Sequence, residues 1–303
     1  MYDIIGDIHG HADELMKLLS KMDYNFDNGF YSHNLRKAIF VGDFIDRGSQ
    51  IRETLQIVKS MVENGAAYAV MGNHEYNAIC YHTKNEKTGN WLREHSKKNY
   101  KQHKKTLEAF KDNEIELENY LNWFKSLPLF IDFEKFKVVH ACWDYKYIDF
   151  IRKNTENAKL NQDFLLESAQ KNTETFEAVE IVLKGQEINL PSRHYLADKE
   201  GVKRNEIRVK WWIKPENLTY KEISIIQDES LPILFVDNNE LSKISAYNKN
   251  DVPVFFGHYW MTGNPEIIQD NICCVDYSVA KHGKLVAYRY NNEEFLKNEN
   301  FIF

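Results

Sequence analysis

Three short segments near the N-terminus carry residue types that bind hard cations. They are Gly6-Asp7-Ile8-His9-Gly10, Gly42-Asp43-Phe44-Ile45-Asp46-Arg47-Gly48 and Gly72-Asn73-His74-Glu75. Two further histidines, His140 in Val138-Val139-His140-Ala141 and His258 in Phe256-Gly257-His258-Tyr259, also sit at the end of apolar runs. Carboxylate, imidazole and amide oxygen donors, with no thiolate among them, suit Mn, Fe, Zn or a similar divalent ion. Asp7, His9, Asp43, Asn73, His140 and His258 make six candidate ligands, more than one structural zinc uses, and so point to two ions side by side. A carboxylate can bridge two ions, and Asp43, central in order, is the expected bridge.

Charge then suggests the substrate. Two divalent ions bring roughly +4, against roughly −2 from Asp7 and Asp43 and about −1 from a bridging hydroxide. The cluster stays positive, attracts a phosphate ester and acidifies bound water. Arg47 offers the planar fork that grips phosphate oxygens. Hydrolysis also needs a proton for the leaving alkoxide. His74 is adjacent to Asn73 but can point away from the ions, and Asp46 would orient its ring and raise its pKa. A general acid of that kind contributes about 10²–10⁴-fold.

The elements that must position these residues are legible as apolar runs. Tyr2-Asp3-Ile4-Ile5, Ala38-Ile39-Phe40-Val41 and Ala67 to Met71 each end in glycine, and Leu15, Leu18, Leu19 and Met22, then Ile51, Leu55, Val58 and Val62, fall at helical spacing between them. Strand and helix alternating at this interval predict βαβ units and a largely parallel sheet. Phe136-Lys137-Val138-Val139 and Pro253-Val254-Phe255-Phe256 are further strands, while Ile272 to Val275 and Lys284 to Tyr290 read as a closing pair. Ligands bind at the carboxyl ends of strands in such sheets, and metal-competent side chains recur at that end of five runs. They should converge although spread over some 250 residues. The stretch from about 81 to 126 is predicted mostly helical, an insertion over the sheet edge; residues 145–250 are polar, mixed and without a readable signature.

Bulk properties restrict the setting. The chain has 303 residues, 43% hydrophobic and 28% charged, with 39 Lys+Arg against 45 Asp+Glu and a net charge of −6. That is the balance of an ordinary globular protein, large enough to fold without disulfide or metal staples. Mild acidity argues against a dedicated nucleic-acid binder. No apolar run approaches 18 residues and no secretory pattern precedes the first motif, so no membrane partner is expected. Four cysteines, two of them adjacent, form neither a disulfide framework nor a zinc pair, and none begins a C-x5-R loop. The expectation is a cytoplasmic protein with inert thiols.

The successive GD-x-HG, GD-x-x-DRG and GNHE segments, with the later histidines, resemble the calcineurin-like metallophosphoesterase superfamily. The likeness is strongest to its phosphoprotein-phosphatase branch and to bacterial relatives of diadenosine-tetraphosphate hydrolases. It covers residues 1–80 and the two histidine segments. It implies an α/β fold in which a pair of β-sheets, a β-sandwich, is flanked by helices with helical insertions; since candidate ligands run from Asp7 to His258, a single domain spanning 1–303 with insertions at about 81–126 and 145–250 is expected. It implies that Asp7, His9 and Asp43 hold one metal, and Asp43, Asn73, His140 and His258 the other, with Mn the activating ion. Asp46 and His74 would be the acid pair, and Arg47 and Asn73 would contact phosphate. A further phosphate-binding arginine is implied between the last two histidines; Arg208 is the preferred candidate, with Arg193 and Arg204 as alternatives.

The implied activity is hydrolysis of phosphate monoesters by metal-bound hydroxide, as in a serine/threonine protein phosphatase. The alternatives are a dinucleoside polyphosphate hydrolase or RNA-end phosphatase, or, in another class, a catalytically dead metal-binding scaffold. The partner would be a phosphoprotein, a nucleotide or a small phosphoester. Trp260 stands two residues after His258, where many members carry another histidine, and Asp46 and Glu75 together lean toward the phosphatase side. The remaining features have bland readings. His11 is expected to start a helix, and His33, His82, His95, His103, His194 and His282 to be surface or satisfied polar groups. Trp211-Trp212 reads as a packing pair, and Lys97 to Lys105 as a solvated helix face.

Overall fold

Alternation along the strands sorts their side chains into two cores, and that sorting defines the architecture. The computed structural model describes residues 1–197 and 203–303, so the 145–250 insertion is described except for 198–202. The main strands are β1 (Tyr2–Ile5), β2 (Lys37–Phe40), β3 (Ala67–Ala69), β4 (Phe130–Asp132), β5 (Lys137–Val139), β6 (Val254–Phe256), β7 (Ile272–Cys274), β8 (Ala287–Tyr290) and β9 (Phe301–Ile302). They form a five-stranded sheet ordered β9-β8-β1-β2-β3 and a four-stranded sheet ordered β7-β6-β5-β4.

In the first sheet β1, β2 and β3 run parallel, with Ile4 beside Ile39 and Phe40 beside Ala69, while β8 and β9 are antiparallel additions. In the second, β5, β6 and β7 are parallel and β4 pairs antiparallel with β5. The sheets face one another across Ile4, Ile39, Val138, Phe255, Cys273 and Tyr288. Their alternate neighbours Ile5, Phe40, Val139, Phe256 and Cys274 turn outward into the helical layers. A period of two with both faces apolar is what a sheet buried on both sides requires.

On one outer face, α1 (Ala12–Lys21) buries Leu15, Leu18 and Leu19, and α2 (Ile51–Glu63) buries Leu55, Val58 and Met61. These are the two helices expected from spacing. The 81–126 insertion contains α4 (Lys97–Ala109), capped by Ser96, and α5 (Glu114–Lys125), capped by Asn113; both follow α3 (Asn73–His82). The 145–250 insertion begins with α6 (Tyr145–Asn154), α7 (Gln162–Ser168) and α8 (Glu174–Lys184). It continues as a small lobe built on paired strands Glu187–Asn189 and Glu206–Arg208, with a core of its own around Ile188, Ile207, Val209, Tyr220 and Ile223. Trp211 and Trp212 pack against Phe256, as their bland reading anticipates.

Two expectations about topology are corrected. The sheet is not one largely parallel layer but two mixed ones, because β4 to β7 form a second sheet that faces the first, while β8 and β9 return to extend the first with antiparallel strands. The closing segments 272–275 and 284–290 do not form one strand pair: Ile272–Cys274 joins β6, whereas Ala287–Tyr290 crosses to β1. The short antiparallel pair Asp276–Tyr277 with Lys284–Leu285 links them. All four cysteines are buried and free. Among the described residues no helix is long and apolar enough to cross a membrane.

Phe255 fills the inter-sheet core beside Tyr288 and Tyr290, with ring centroids 5.2 and 5.6 Å away. Phe255→Ala is expected to destabilise the fold by about 3–5 kcal/mol in urea unfolding at fixed metal concentration. A cost under 1 kcal/mol would mean that the two sheets do not share this core.

Candidate metal centre

The turns that leave β1, β2, β5 and β6 meet at one point, and the start of α3 joins them. This close approach depends on glycine at the β2 and β3 ends. A Cβ on Gly72 would lie 2.2 Å from Asp43 Oδ1 and 2.3 Å from its amide nitrogen, and one on Gly42 would lie 2.5 Å from Gly72 N. Glu75 then locks the junction: its carboxylate accepts the amide protons of Asp43 and Phe44, both at 2.8 Å, and of Gly72 at 3.0 Å. His9, Asp43, Asp46, Arg47, His258 and Trp260 all have φ between 48° and 72°. Left-handed backbone costs non-glycine residues of order 1 kcal/mol each, and such strain gathers where side chains must be re-aimed.

Asp43 Oδ2 is the centre of the arrangement. His140 Nε2 is 3.4 Å from it, His9 Nε2 3.6 Å and His74 Nε2 4.0 Å. Asp43 Oδ1 is held by the His74 amide at 2.9 Å, which leaves Oδ2 facing the rings. His9 Nδ1 donates to the Ile45 carbonyl at 2.9 Å and His140 Nδ1 to the Val41 carbonyl at 2.7 Å. Each backbone contact fixes a tautomer that presents a bare Nε2 to the centre. His140 Nε2 also sits 3.2 Å from Asn73 Oδ1.

Lone pairs therefore face lone pairs, which only a positive charge reconciles. A proton can serve: burial disfavours imidazolium at His140, but Asp43 outweighs it and raises the pKa. A divalent ion does the same without protonating the ligands. Two side-chain atoms at the centre, Asp7 Oδ1 and His258 Nε2, are buried and have no hydrogen-bond partner. Burial, then the charges of Arg208 and His140, holds His258 well below its ordinary pKa, so it stays a neutral donor. His9 is lowered to about 4 by burial and by His74. Asp7 moves the other way, raised by burial and by Asp276 and Asp43. For Asp43 itself burial opposes the charge, but His140, His74 and His9 outweigh it and keep the carboxylate ionised. The donor set fits hard divalent cations: ligand atoms of His9, Asp43 and His74 lie within 4.8 Å of one another, as do those of Asp43, His140 and His258.

Of the residues singled out in the sequence, Asp7, His9, Asp43, Asn73, His74, His140 and His258 are buried together here. Asp7 Oδ2 accepts the His258 amide at 3.0 Å, across 251 residues of chain. His74 Nδ1 meets Asp46 Oδ2 at 2.5 Å while its Nε2 points at the Asp43 side. Burial opposes a charged His74, but Asp43 and Asp46 outweigh it and raise its pKa. Arg47 is exposed at the rim. Arg208 lies close enough to His258 to depress its pKa, and its Nε is buried without a partner although Nη2 donates to Glu187 at 3.0 Å. Arg193 is exposed. His11 begins α1 with Nδ1 on the Ile8 carbonyl at 2.9 Å.

Sequence reasoning missed four contributors. Asp276 is fully buried and accepts the Trp260 and Ser278 amides at 2.7 and 2.9 Å, so it shapes the turn after His258. Tyr259 OH, buried without a partner, would meet a Cβ on Gly185 at 2.3 Å, which puts it beside Arg208. His103 and Thr106 reach Asp46 from α4. His103 is thus not an incidental polar residue, and the one available signal was its three-residue spacing from Thr106 on the face opposite the lysines.

The sequence model of the calcineurin-like phosphoesterase family matches residues 2–259. A bis(5'-nucleosyl)-tetraphosphatase PrpE [asymmetrical] of Halalkalibacterium halodurans is 47% identical over 74 residues, which are 24% of this chain and 30% of that relative's length. A symmetrical bis(5'-nucleosyl)-tetraphosphatase of Buchnera aphidicola is 26% identical over 313 residues, covering 98% of both chains. Among solved structures, a cold-active protein tyrosine phosphatase aligns with TM-score 0.51 and 16% identity, covering 96% of this chain and 74% of that one. A protein serine/threonine phosphatase of Saccharomyces cerevisiae aligns with TM-score 0.51 and 16% identity, covering 99% and 78%.

A Cβ on Gly257 would lie 2.0 Å from Asp7 Oδ1. Gly257→Ala is therefore expected to weaken divalent metal binding by about 10–100-fold, read by titration calorimetry with Mn. Wild-type affinity in that variant would show that Asp7 Oδ1 does not hold an ion.

Proposed function

The chain belongs to the calcineurin-like phosphoesterase family, and from that premise we propose that it is a two-metal phosphoesterase hydrolysing phosphate monoesters directly, in the manner of a serine/threonine protein phosphatase. The observation that carries the reading is Asp43 Oδ2 facing three imidazole nitrogens at 3.4 to 4.0 Å, with His74 seated on Asp46 beside them. Asp7, His9 and Asp43 would hold one ion, and Asp43, Asn73, His140 and His258 the other, with Mn the activating metal. When bound, the ions supply Lewis acidity toward a phosphate oxygen and an acidified water to attack it.

The chain's own residues supply the rest. Arg47 at the rim and Arg208 from the small lobe would grip the phosphate oxygens, together with Asn73, the first residue of α3. Asp46 accepts the Nδ1 proton of His74, which fixes the tautomer and holds the ring. His74 Nε2 then delivers a proton to the leaving oxygen. Buried Cys80, Cys142, Cys273 and Cys274 have pKa values raised by burial, so none is a ready thiolate nucleophile.

We read residues 1–303 as one domain with insertions at about 81–126 and 145–250; the Asp7–His258 contact supports that reading. The four free, buried thiols support a cytoplasmic setting. A dinucleoside polyphosphate is the second reading of the substrate, favoured by the tetraphosphatase relative that aligns along 98% of the chain.

Purified protein is expected to hydrolyse p-nitrophenyl phosphate with Mn and to lose that activity in chelator; full turnover by metal-free protein would overturn the two-metal reading. Assayed at equal concentration, phosphopeptides should be turned over faster than diadenosine tetraphosphate, and the reverse order would select the nucleotide reading. His74→Asn should slow turnover by about 10²-fold or more while two ions per chain are retained. Collapse of metal content in that variant would make His74 a ligand instead.

A further inference from the structure

Helix α4 has an unusual inner face. Amphipathic helices turn an apolar stripe to the core, yet the two buried residues of α4 are His103 and Thr106, and both bond to the same carboxylate. Thr106 Oγ1 donates to Asp46 Oδ1 at 2.6 Å and in return accepts the Asp46 amide at 3.1 Å. His103 Nδ1 donates to the same Oδ1 at 3.0 Å, while Oδ2 is left for His74. With its Nδ1 proton on Asp46, His103 presents Nε2 as an acceptor, and His82 Nε2 lies 3.2 Å from it. His82 is the last residue of α3 and His74 the second, so the contacts close a ring: His74, Asp46, His103, His82 and back along α3.

We propose that His103, backed by Thr106 and His82, is a positioning residue that fixes the Asp46 carboxylate so that His74 holds its proton-donating orientation. The proposal rests on the reading of His74 as the acid. The Asp46 backbone has φ 66° and lies in a turn outside any helix or strand. Among the described residues, only its bond to His74 would hold the carboxylate without α4, and orienter and oriented group would rotate together. His103 and Thr106 saturate Oδ1, which leaves Oδ2 one geometry in which to accept from Nδ1. The 81–126 insertion thereby becomes part of the reaction machinery although no residue of it touches the ions' ligands by these contacts.

Leaving-group dependence separates this role from a structural one. A proton donor matters for a poor leaving group such as phenol and little for a good one such as 2,4-dinitrophenol. With the Mn-loaded protein, His103→Leu should lower kcat for phenyl phosphate by roughly 10-fold or more at nearly constant KM, with 2,4-dinitrophenyl phosphate changed by less than about 2-fold. His103→Asn returns an N–H donor to the Nδ1 position and should restore most of the lost rate. Equal losses on both substrates in His103→Leu, with His103→Asn no better, would overturn the proposal while leaving the acid reading intact, provided His74→Asn shows the leaving-group dependence. If His74→Asn lacks that dependence, the acid reading fails and this proposal falls with it. If His103→Leu does not fold, His103→Asn compared with Thr106→Val decides, since loss of the threonine hydroxyl should reproduce the same selective effect.

Discussion

Five carboxylates, Asp7, Asp43, Asp46, Glu75 and Asp276, are buried around one point, and the rest of the structure follows from keeping them charged there. Burying an unpaired carboxylate costs many kcal/mol, so each must be given donors or a cation. Asp46 is given His74, His103 and Thr106; Glu75 is given three backbone amides; Asp276 is given two. Asp7 retains a bare oxygen, and Asp43 Oδ2 faces imidazole nitrogens two of which are tautomerically fixed as acceptors. The satisfied carboxylates are scaffold, and on the proposed function the unsatisfied ones are where a cation would bind. Glu75 shows the tension: burial and Asp43 raise it to about 7, close to losing the charge that three amides favour.

The sandwich is the means of bringing these groups together. Parallel strands deliver their carboxyl ends to a common edge, and stacking two such sheets doubles the number of turns arriving there. The first sheet contributes Asp7, His9, Asp43 and the head of α3, and the second contributes His140 and His258. The inter-sheet core is accordingly more than a source of stability, because its packing sets the spacing between the two halves of the candidate ligand set. Backbone carbonyls of one sheet's turns tie rings from the other, as Val41 does for His140, so the halves are also joined by directed bonds.

What the sequence disclosed and what it concealed have distinct physical reasons. Asp7, His9, Asp43, Asn73, His74, His140 and His258 were legible because each follows an apolar run with a glycine or a sharp turn, a signal that is local along the chain. The helices at Leu15–Met22 and Ile51–Val62 were legible through period. His103 and Thr106 were not, because a polar inner face has no apolar stripe to betray it, and the neighbouring lysines dominate the composition of α4. Asp276 directly follows the apolar run Ile272 to Val275, but no glycine or companion motif marks it as the other residues are marked. The division into two sheets was concealed for a related reason: runs buried on both faces carry no alternation that says which neighbour they choose. The resemblance to a known family supplied the sandwich that periodicity could not.

The small lobe that carries Arg208 has its own hydrophobic cluster, separate from the two that hold the sandwich and its helices. Arg208 ends the lobe's strand Glu206–Arg208 and is tethered on its outer side to Glu187. On the proposed function, an arginine that grips the substrate and the residues that would hold the ions rest largely on different hydrophobic clusters. Substitutions inside the lobe's core would then move Arg208, and with it the shape of ester that fits, more than they move the groups facing Asp43. An architecture divided like this would let the fit of a substrate vary while the turns that gather the candidate ligands stay in place.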